Sequence, residues 1–311
     1  MIQHSIGIDI SKDCLDVHCL PDCQERRFGN DKAGHRALIA WIGKAMVRIV
    51  YEPTGPYHRA MERALAAAGL AVVKVNPRQA RRFAEATGKL AKTDRLDAAM
   101  LARMGAVLDL QARPLASDTL RELKELHMAR QALVKDRTAA KNRAKTLTIA
   151  LLKRHNARRL RQIEHQIADV EAAILAALTT DPELTQRLDV LTSIPGVSRL
   201  TAFALIIEMP ELGSLDGKQA ASLAGLAPVS RQSGTWKGRA FIRGGRAQVR
   251  QALYMPALVA CRYNPDLAQV YERLRNAGKP PKVAITAVMR KLIVLANALL
   301  RDHRNWSQAI A

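Results

Sequence analysis

Asp9, Glu52, Asp94 and Asp97 are the residues whose type and spacing first suggest chemistry in this chain. Asp9 closes an apolar run, Ser5-Ile6-Gly7-Ile8-Asp9-Ile10, and Glu52 closes another, Val47-Arg48-Ile49-Val50-Tyr51-Glu52, ahead of Pro53-Thr54-Gly55. Asp94 and Asp97 are three apart in Lys92-Thr93-Asp94-Arg95-Leu96-Asp97-Ala98, so a helix carries both on one face. Carboxylates are hard oxygen ligands, and a converging set suits Mg²⁺ or Mn²⁺ held against phosphate. Packed together they repel one another, which disfavours ionisation unless a cation joins them. Taken singly, each acid also reads as a solvated capping or surface residue. The chemical reading rests on all four meeting at one sheet edge, where ligands collect.

A second cluster surrounds Ser233. Residues 229–250 hold six basic side chains, Arg231, Lys237, Arg239, Arg243, Arg246 and Arg250, and no acid. A serine in a cationic loop is suited to attack a phosphodiester, because nearby positive charge favours the alkoxide and stabilises charge on the phosphoryl oxygens. Gly244-Gly245 ahead of a helix can seat a phosphate at the helix N-terminus. Without the surrounding charge, Ser233-Gly234 would read as an ordinary turn.

The elements that must position these groups fall into three stretches. Residues 4–10, 14–20 and 24–28 read as three short strands, 32–44 as a helix, 47–52 as a buried strand, 57–68 as an Ala-rich helix and 70–75 as a further strand. Pro77 opens another helix, where its missing N–H costs nothing. This order predicts an α/β domain over 1–115 with a mixed sheet flanked by helices. Residues 116–181 read as a basic helical arm: Leu160, Ile163, Ile167, Val170, Ile174 and Leu178 approach a coiled-coil seam, with Ala140, Ala144, Leu147 and Leu151 upstream. His155-Asn156 is either the tip of a helical hairpin or part of one long helix. Asp181-Pro182 then caps and opens a mainly helical stretch over 182–311. Within it, residues 191–197 form a Gly-containing turn between helices, which either offers backbone N–H groups to a phosphate or simply joins its neighbours.

Composition bounds the function. The 311 residues carry a net charge of +21, which points to a polyanionic partner. Between residues 121 and 161 there are 13 Lys/Arg against 3 Asp/Glu, an excess too one-sided for a balanced solvated face. A membrane is the weaker partner, since no apolar run reads as long enough to span a bilayer and Met1-Ile2-Gln3-His4 does not read as a signal peptide. Cys14, Cys19, Cys23 and Cys261 lack a zinc spacing and read as reduced thiols. Aromatic residues are only 4%, so stacking of bases on an aromatic sheet is not the expected main mode of binding.

Several pieces, taken in order, resemble the DEDD-type transposases of bacterial insertion sequences, a family described as bridge-RNA-guided recombinases. They are Gly7-Ile8-Asp9-Ile10-Ser11-Lys12, Glu52-Pro53-Thr54-Gly55, Lys92-Thr93-Asp94-Arg95-Leu96-Asp97-Ala98, Ile194-Pro195-Gly196-Val197, Gly225-Leu226-Ala227-Pro228, and Ser233-Gly234 with Gly245 and Arg250. The resemblance implies an RNase H-like (RuvC-like) domain, a coiled-coil arm, and a C-terminal domain carrying a nucleophilic serine. It implies that Asp9, Glu52, Asp94 and Asp97 bind Mg²⁺ and that Ser233 attacks the DNA backbone, giving a phosphoserine link before rejoining. It further implies donor and target DNA, a structured guide RNA, a homo-oligomer (dimer or tetramer) and a bacterial cytoplasmic, nucleoid-associated setting. Lys12, Lys92 and Arg95 beside the acids, and the six cations near Ser233, are the expected nucleic-acid contacts. Base pairing by a guide would let a protein with few aromatics still act on chosen sequences. Two other readings compete: a RuvC-like nuclease or junction resolvase using metal-activated water, and a non-catalytic nucleic-acid-binding protein.

Overall fold

Alternating apolar and polar residues in the first unit give strands whose two faces do different jobs. The computed structural model describes residues 4–43, 47–53, 55–88, 94–112, 117–238 and 240–307, with the backbone alone at 94–96 and 236–237. It divides into two units, Met1–Leu115 and Ala116–Ala311.

In the first unit, strands β1 (Ser5–Ile10), β2 (Cys14–Leu20), β3 (Gln24–Gly29), β4 (Arg48–Tyr51) and β5 (Val72–Lys74) form a five-stranded sheet in the order β3-β2-β1-β4-β5. β1, β2 and β3 are an antiparallel meander, while β1, β4 and β5 run parallel, so the sheet is mixed as expected. Ile6, Ile8, Ile10, Leu15, Val17, Ile49 and Tyr51 line one face, packed with Leu38 and Ile42 of α1 (Lys32–Ile42) and Met61 and Leu65 of α2 (His58–Ala67). The other face, with Val50 and Val73, meets Ala80 of α3 (Pro77–Ala86) and Met100, Leu101 and Met104 of α4 (Asp94–Val107). Pro77 stands in the first turn of α3, and Asn76 caps that helix by accepting from the Arg78 N–H at 2.9 Å.

The second unit is mostly helical. α5 (Asp118–Ala144) and α6 (Ala150–Thr179) are an antiparallel pair, tied by Arg130–Glu171 at 2.7 Å and by the Asn156 amide donating to the Ala140 carbonyl at 3.0 Å. The chain therefore turns at 145–149, and His155-Asn156 lies inside α6. Ile163, Ile167, Ile174 and Leu178 are buried, with Leu160 and Val170 half-buried, whereas Ala144 and Leu151 upstream are exposed.

Helices α7 (Pro182–Thr192), α8 (Arg199–Glu208), α9 (Gly217–Leu223), α10 (Ala247–Tyr263), α11 (Pro265–Asn276) and α12 (Pro281–Arg301) build one core, in which α10 and α12 pack against each other. α12 corrects the expectation about bilayer-length runs: its 21 residues are long and apolar enough to cross a membrane. Its apolarity has another cause, since Ala284, Ile285, Val288, Met289, Leu292, Ile293, Ala296, Leu299 and Leu300 are all buried. A helix enclosed on most sides by other helices reads apolar all round. Between α7 and α8, Gly196 has φ +99, and a Cβ there would stand 2.9 Å from the Pro256 carbonyl oxygen, so the turn is pressed onto α10.

Candidate functional site

The register of β1 and β4 brings two of the acids side by side. Gly7 pairs with Val50 and Ile8 with Tyr51, so the next step along both strands sets Asp9 beside Glu52 at their C-terminal ends. Both point to the face of Gly7 and Val50, the face that α4 covers, because side chains alternate along a strand. α4 lies unusually close there. A Cβ on Gly7 would stand 2.0 Å from the Ala98 carbonyl oxygen and 2.3 Å from the Ala102 nitrogen, and one on Gly105 would stand 2.3 Å from Ser5 Oγ. These contacts also fix direction: α4 runs antiparallel to β1, with its first turn toward the Asp9 end. At ~1.5 Å per helical residue and ~3.3 Å per strand residue, Asp9 falls at a level between Asp97 and Asp94. Asp9, Glu52 and Asp97 are all half-buried. The helix N-terminus at this edge carries positive dipole charge, which favours the acids it meets.

Behind this edge, on the opposite face, Tyr51 is fully buried and its hydroxyl donates to the Glu62 carboxylate, which also takes Lys74 Nζ at 2.9 Å. Burial first, then Glu62, pushes the Tyr51 phenol well above its ordinary range. The network ties β4, β5 and α2 together one residue before Glu52. No sequence pattern pointed to it. Among the described residues, no three His, Cys, Asp or Glu side chains are already closed around a metal-sized space. As a donor set, Asp9, Glu52 and Asp97 nonetheless suit a hard divalent cation. The Asp94 side chain lies outside the described residues.

Ser233 sits on a β-ribbon, not in a loop. β6 (Pro228–Val229) pairs with β9 (Phe241–Ile242), and within that pair β7 (Gln232–Ser233) pairs with β8 (Trp236–Lys237). Gly234, with φ +55, begins the two-residue turn directly after Ser233, and a left-handed glycine there suits a tight hairpin. Ser233 is exposed, as are Arg231 and Arg243.

The ribbon is fastened at its root. A Cβ on Gly245 would stand 2.1 Å from the Gly225 nitrogen, and the Arg246 N–H donates to the Leu223 carbonyl at 2.8 Å. The Arg246 guanidinium grips Glu211 with two hydrogen bonds, one of 2.9 Å, and also donates to the Glu208 carbonyl. Arg250 donates to the Gly244 carbonyl at 2.9 Å. Below lies a polar cluster in which Glu208 and His127 are buried, Gln131 is half-buried and Gln248 is exposed. The Gln248 amide lies against the Glu208 carboxylate, to which its nitrogen donates at 2.7 Å when the amide oxygen and nitrogen are exchanged, and the Gln131 amide stands 2.7 Å from His127 Nε2. Burial holds His127 down at about 4, with Arg130 adding to the effect, and burial pushes Glu208 up.

Residues 6–153, which contain the four acids, match the DEDD-type IS110 family described as "Transposase". Residues 188–272, which contain the whole ribbon and its root, match the "Transposase IS116/IS110/IS902 family". The pilin gene-inverting protein of Moraxella bovis is 31% identical over 327 aligned positions, covering 100% of this chain and 99% of that protein. That of Moraxella lacunata is likewise 31% identical, with the same coverage. The IS110 uncharacterized 43.6 kDa protein of Streptomyces coelicolor is 34% identical over 145 residues, 46% of this chain and 35% of that protein. The chain belongs to the IS110-type transposase family. It is a DNA transposase, a recombinase whose substrates are DNA.

Within this transposase the basic residues expected at nucleic acid divide by environment. Lys12 is exposed in the link between β1 and β2, at the strand end next to Asp9. Arg231 and Arg243 are exposed on the ribbon. Arg246 and Arg250 are committed to protein carboxylate and carbonyl groups at the root. Lys92 and Arg239 lie outside the described residues, and the side chains of Arg95 and Lys237 are likewise not described. Glu211, Glu208, His127 and Gln248 were missed by sequence reasoning, because polar partners on three separate helices and the turn after α8 share no spacing. The four cysteines are all free.

Proposed function

We propose that this transposase cuts and rejoins DNA through Ser233, with Asp9, Glu52, Asp94 and Asp97 as the residues that hold a divalent metal ion, Mg²⁺ or Mn²⁺. The carrying observation is the exposed Ser233 at the turn of a ribbon that presents cations and no acid. In the step, Ser233 Oγ forms a bond to phosphorus, one P–O bond to the neighbouring sugar breaks, and the departing sugar oxygen gains the proton that the serine gives up. Attack by a sugar hydroxyl of another strand reverses these changes and restores the serine. Arg231 and Arg243 stabilise negative charge on the phosphoryl oxygens. A metal bound at the acids supplies Lewis acidity toward phosphate oxygens. Asp9 and Glu52 are suited to hold it because two parallel neighbours fix their spacing, and the tight seat of α4 fixes Asp97.

The sheet order β3-β2-β1-β4-β5 supports reading the first unit as an RNase H-like, RuvC-like domain. The basic α5–α6 pair and the net charge of +21 support a nucleic-acid partner; that this is a structured guide RNA, with DNA chosen by base pairing, rests on the family resemblance. A homo-oligomer built through a coiled-coil arm rests on the family resemblance, because Ile163, Ile167, Ile174 and Leu178 of α6 are already buried within the one chain. The protein would then act in the bacterial cytoplasm, at the nucleoid.

The test is Ser233→Ala. The variant should bind DNA as the parent does and yield no covalent protein–DNA adduct on denaturing gels. Undiminished strand cutting by Ser233→Ala, together with its loss in Asp9→Ala, would assign the reaction to metal-activated water and overturn the serine step.

A further inference from the structure

The ribbon exposes more than its serine. Val229 and Phe241 are directly opposed in the β6–β9 pair and are 42% and 37% exposed; Ile242 next to them is 36% exposed. A two-stranded ribbon on its own buries little, and apolar side chains left open along one are a surface awaiting a partner. The Arg231 guanidinium lies over the Phe241 ring, 5.0 Å from its centroid. Charge selects the partner: residues 229–250 contain no acid, so the surface suits a polyanion and not a second protein core. Because Arg246 and Arg250 are spent on the root, the cations that face outward among the described side chains are Arg231 and Arg243. A flat ring, a flat guanidinium and exposed positive charge together match a nucleotide, whose base is planar and whose backbone is anionic.

We propose that Phe241 and Arg231 form a stacking platform for an unpaired nucleobase of the DNA strand being cut. Bases in a duplex are stacked on one another, so only an unpaired base offers its face to a protein. Arg231 lies two residues from Ser233, ~7 Å along an extended strand, which sets the platform one nucleotide's reach from the serine. It holds the strand in register so that one phosphate meets the hydroxyl. In a chain with 4% aromatic residues this is a local device, separate from the diffuse charge that binds backbones. The location beside a scissile phosphate rests on the serine reading above; the stacking itself does not.

The experiment measures binding, so it stands whether or not Ser233 is the nucleophile. Ser233→Ala protein is titrated with a short mixed-sequence single-stranded DNA carrying 2-aminopurine, and separately with its duplex. Phe241→Leu keeps the apolar volume without the ring, Phe241→Trp keeps a ring, and Arg231→Lys keeps the charge without the plane. Phe241→Leu should weaken single-strand binding about five- to hundredfold and relieve the 2-aminopurine quench, while duplex binding changes by less than about twofold. Phe241→Trp should restore both, and Arg231→Lys should fall between. Parent-like single-strand affinity in Phe241→Leu overturns the proposal. So does an equal loss for single strand and duplex, which would make the ring a packing element of the ribbon.

Discussion

The carboxylate edge and the serine ribbon are built on opposite principles. The edge is a product of close packing: Gly7 and Gly105 let α4 press onto β1, and strand register sets Asp9 beside Glu52. The described side chains of the ribbon are mostly exposed, and its root is fastened through Gly225, Gly245, Arg246 and Arg250. A metal-holding set must be kept within fractions of an ångström, which suits rigid elements. A nucleophile that enters and leaves a covalent link to a strand is better carried by an element with room around it. Precision in this molecule thus belongs to the acids, and reach belongs to the serine.

The strongest way to break the contrast is at Gly7. Its added Cβ would meet helix backbone and not the end of a flexible side chain, so α4 must move. Gly7→Ala should cost about 3 kcal/mol in urea unfolding of the first unit. It should also lower DNA cutting by on the order of a hundredfold through misplacement of the first turn of α4. A variant of parent-like stability and activity would mean that the close seat of α4 does not position the acids.

Acid should loosen the ribbon's foundation by a similar amount. His127 titrates at about 4 in the folded protein and near 6.5 when unfolded, so between these values the unfolded chain binds more protons. Its share of stability is therefore complete above about pH 6.5, declines as the pH falls, and is gone below about 4, a loss on the order of 3 kcal/mol. Glu208 acts with the opposite sign: its pKa is raised by burial, so protonation in the folded state offsets part of that loss. His127→Gln should flatten the decline, and Glu208→Gln should steepen it, in thermal unfolding followed from pH 7 to 4. An identical pH profile in His127→Gln would remove this histidine as the cause.

What the sequence revealed divides along the same line. Strands with sustained alternation were readable to within a few residues, as was Pro77 at a helix start, because period and capping are local signals. That Asp9 and Glu52 each close an apolar run put them at a sheet edge in the sequence, and the parallel β1–β4 register then set them side by side. The ribbon was read as a loop, since strands of two residues are too short to show a period. The turn at 145–149 was hidden because it holds neither glycine nor proline, and α12 showed its apolarity but not the helices that enclose it. The depth at which α4 sits was written in Ala98, Ala102 and Gly105, small residues at helical spacing, yet it takes Gly7 on another element to give them meaning. Arg246 is the clearest miss of environment: among cations it reads as a phosphate contact, and only the fold brings Glu211 to it.

That residue gives a sharper separation of root from tip. Arg246→Ala removes two hydrogen bonds to Glu211 and strands the Glu208 carbonyl, and should cost about 2 kcal/mol of stability. Its effect on the salt dependence of DNA binding should be nil, because its charge is already used within the protein. Arg243→Ala should do the reverse, leaving stability within about 0.5 kcal/mol while lowering the slope of log K against log salt by about one. A lowered slope in Arg246→Ala at full stability would return that arginine to the nucleic-acid surface.

The smallest effect is expected where the same chemical change as at Gly7 is made on the ribbon. A Cβ on Gly234 would meet nothing within 4 Å, so the only cost is that of holding an alanine at φ +55. That is about 1 kcal/mol. Because Gly234 lies at the exposed tip, away from the fastened root, the loss should stay local and leave the unfolding midpoint of the second unit where it was. It should appear instead as faster amide exchange in the β7–β8 pair, by about fivefold, the factor that 1 kcal/mol represents. If Gly234→Ala lowered the midpoint as far as Gly7→Ala does, the ribbon would be part of the cooperative core, and the division between a packed edge and an exposed tip would fail.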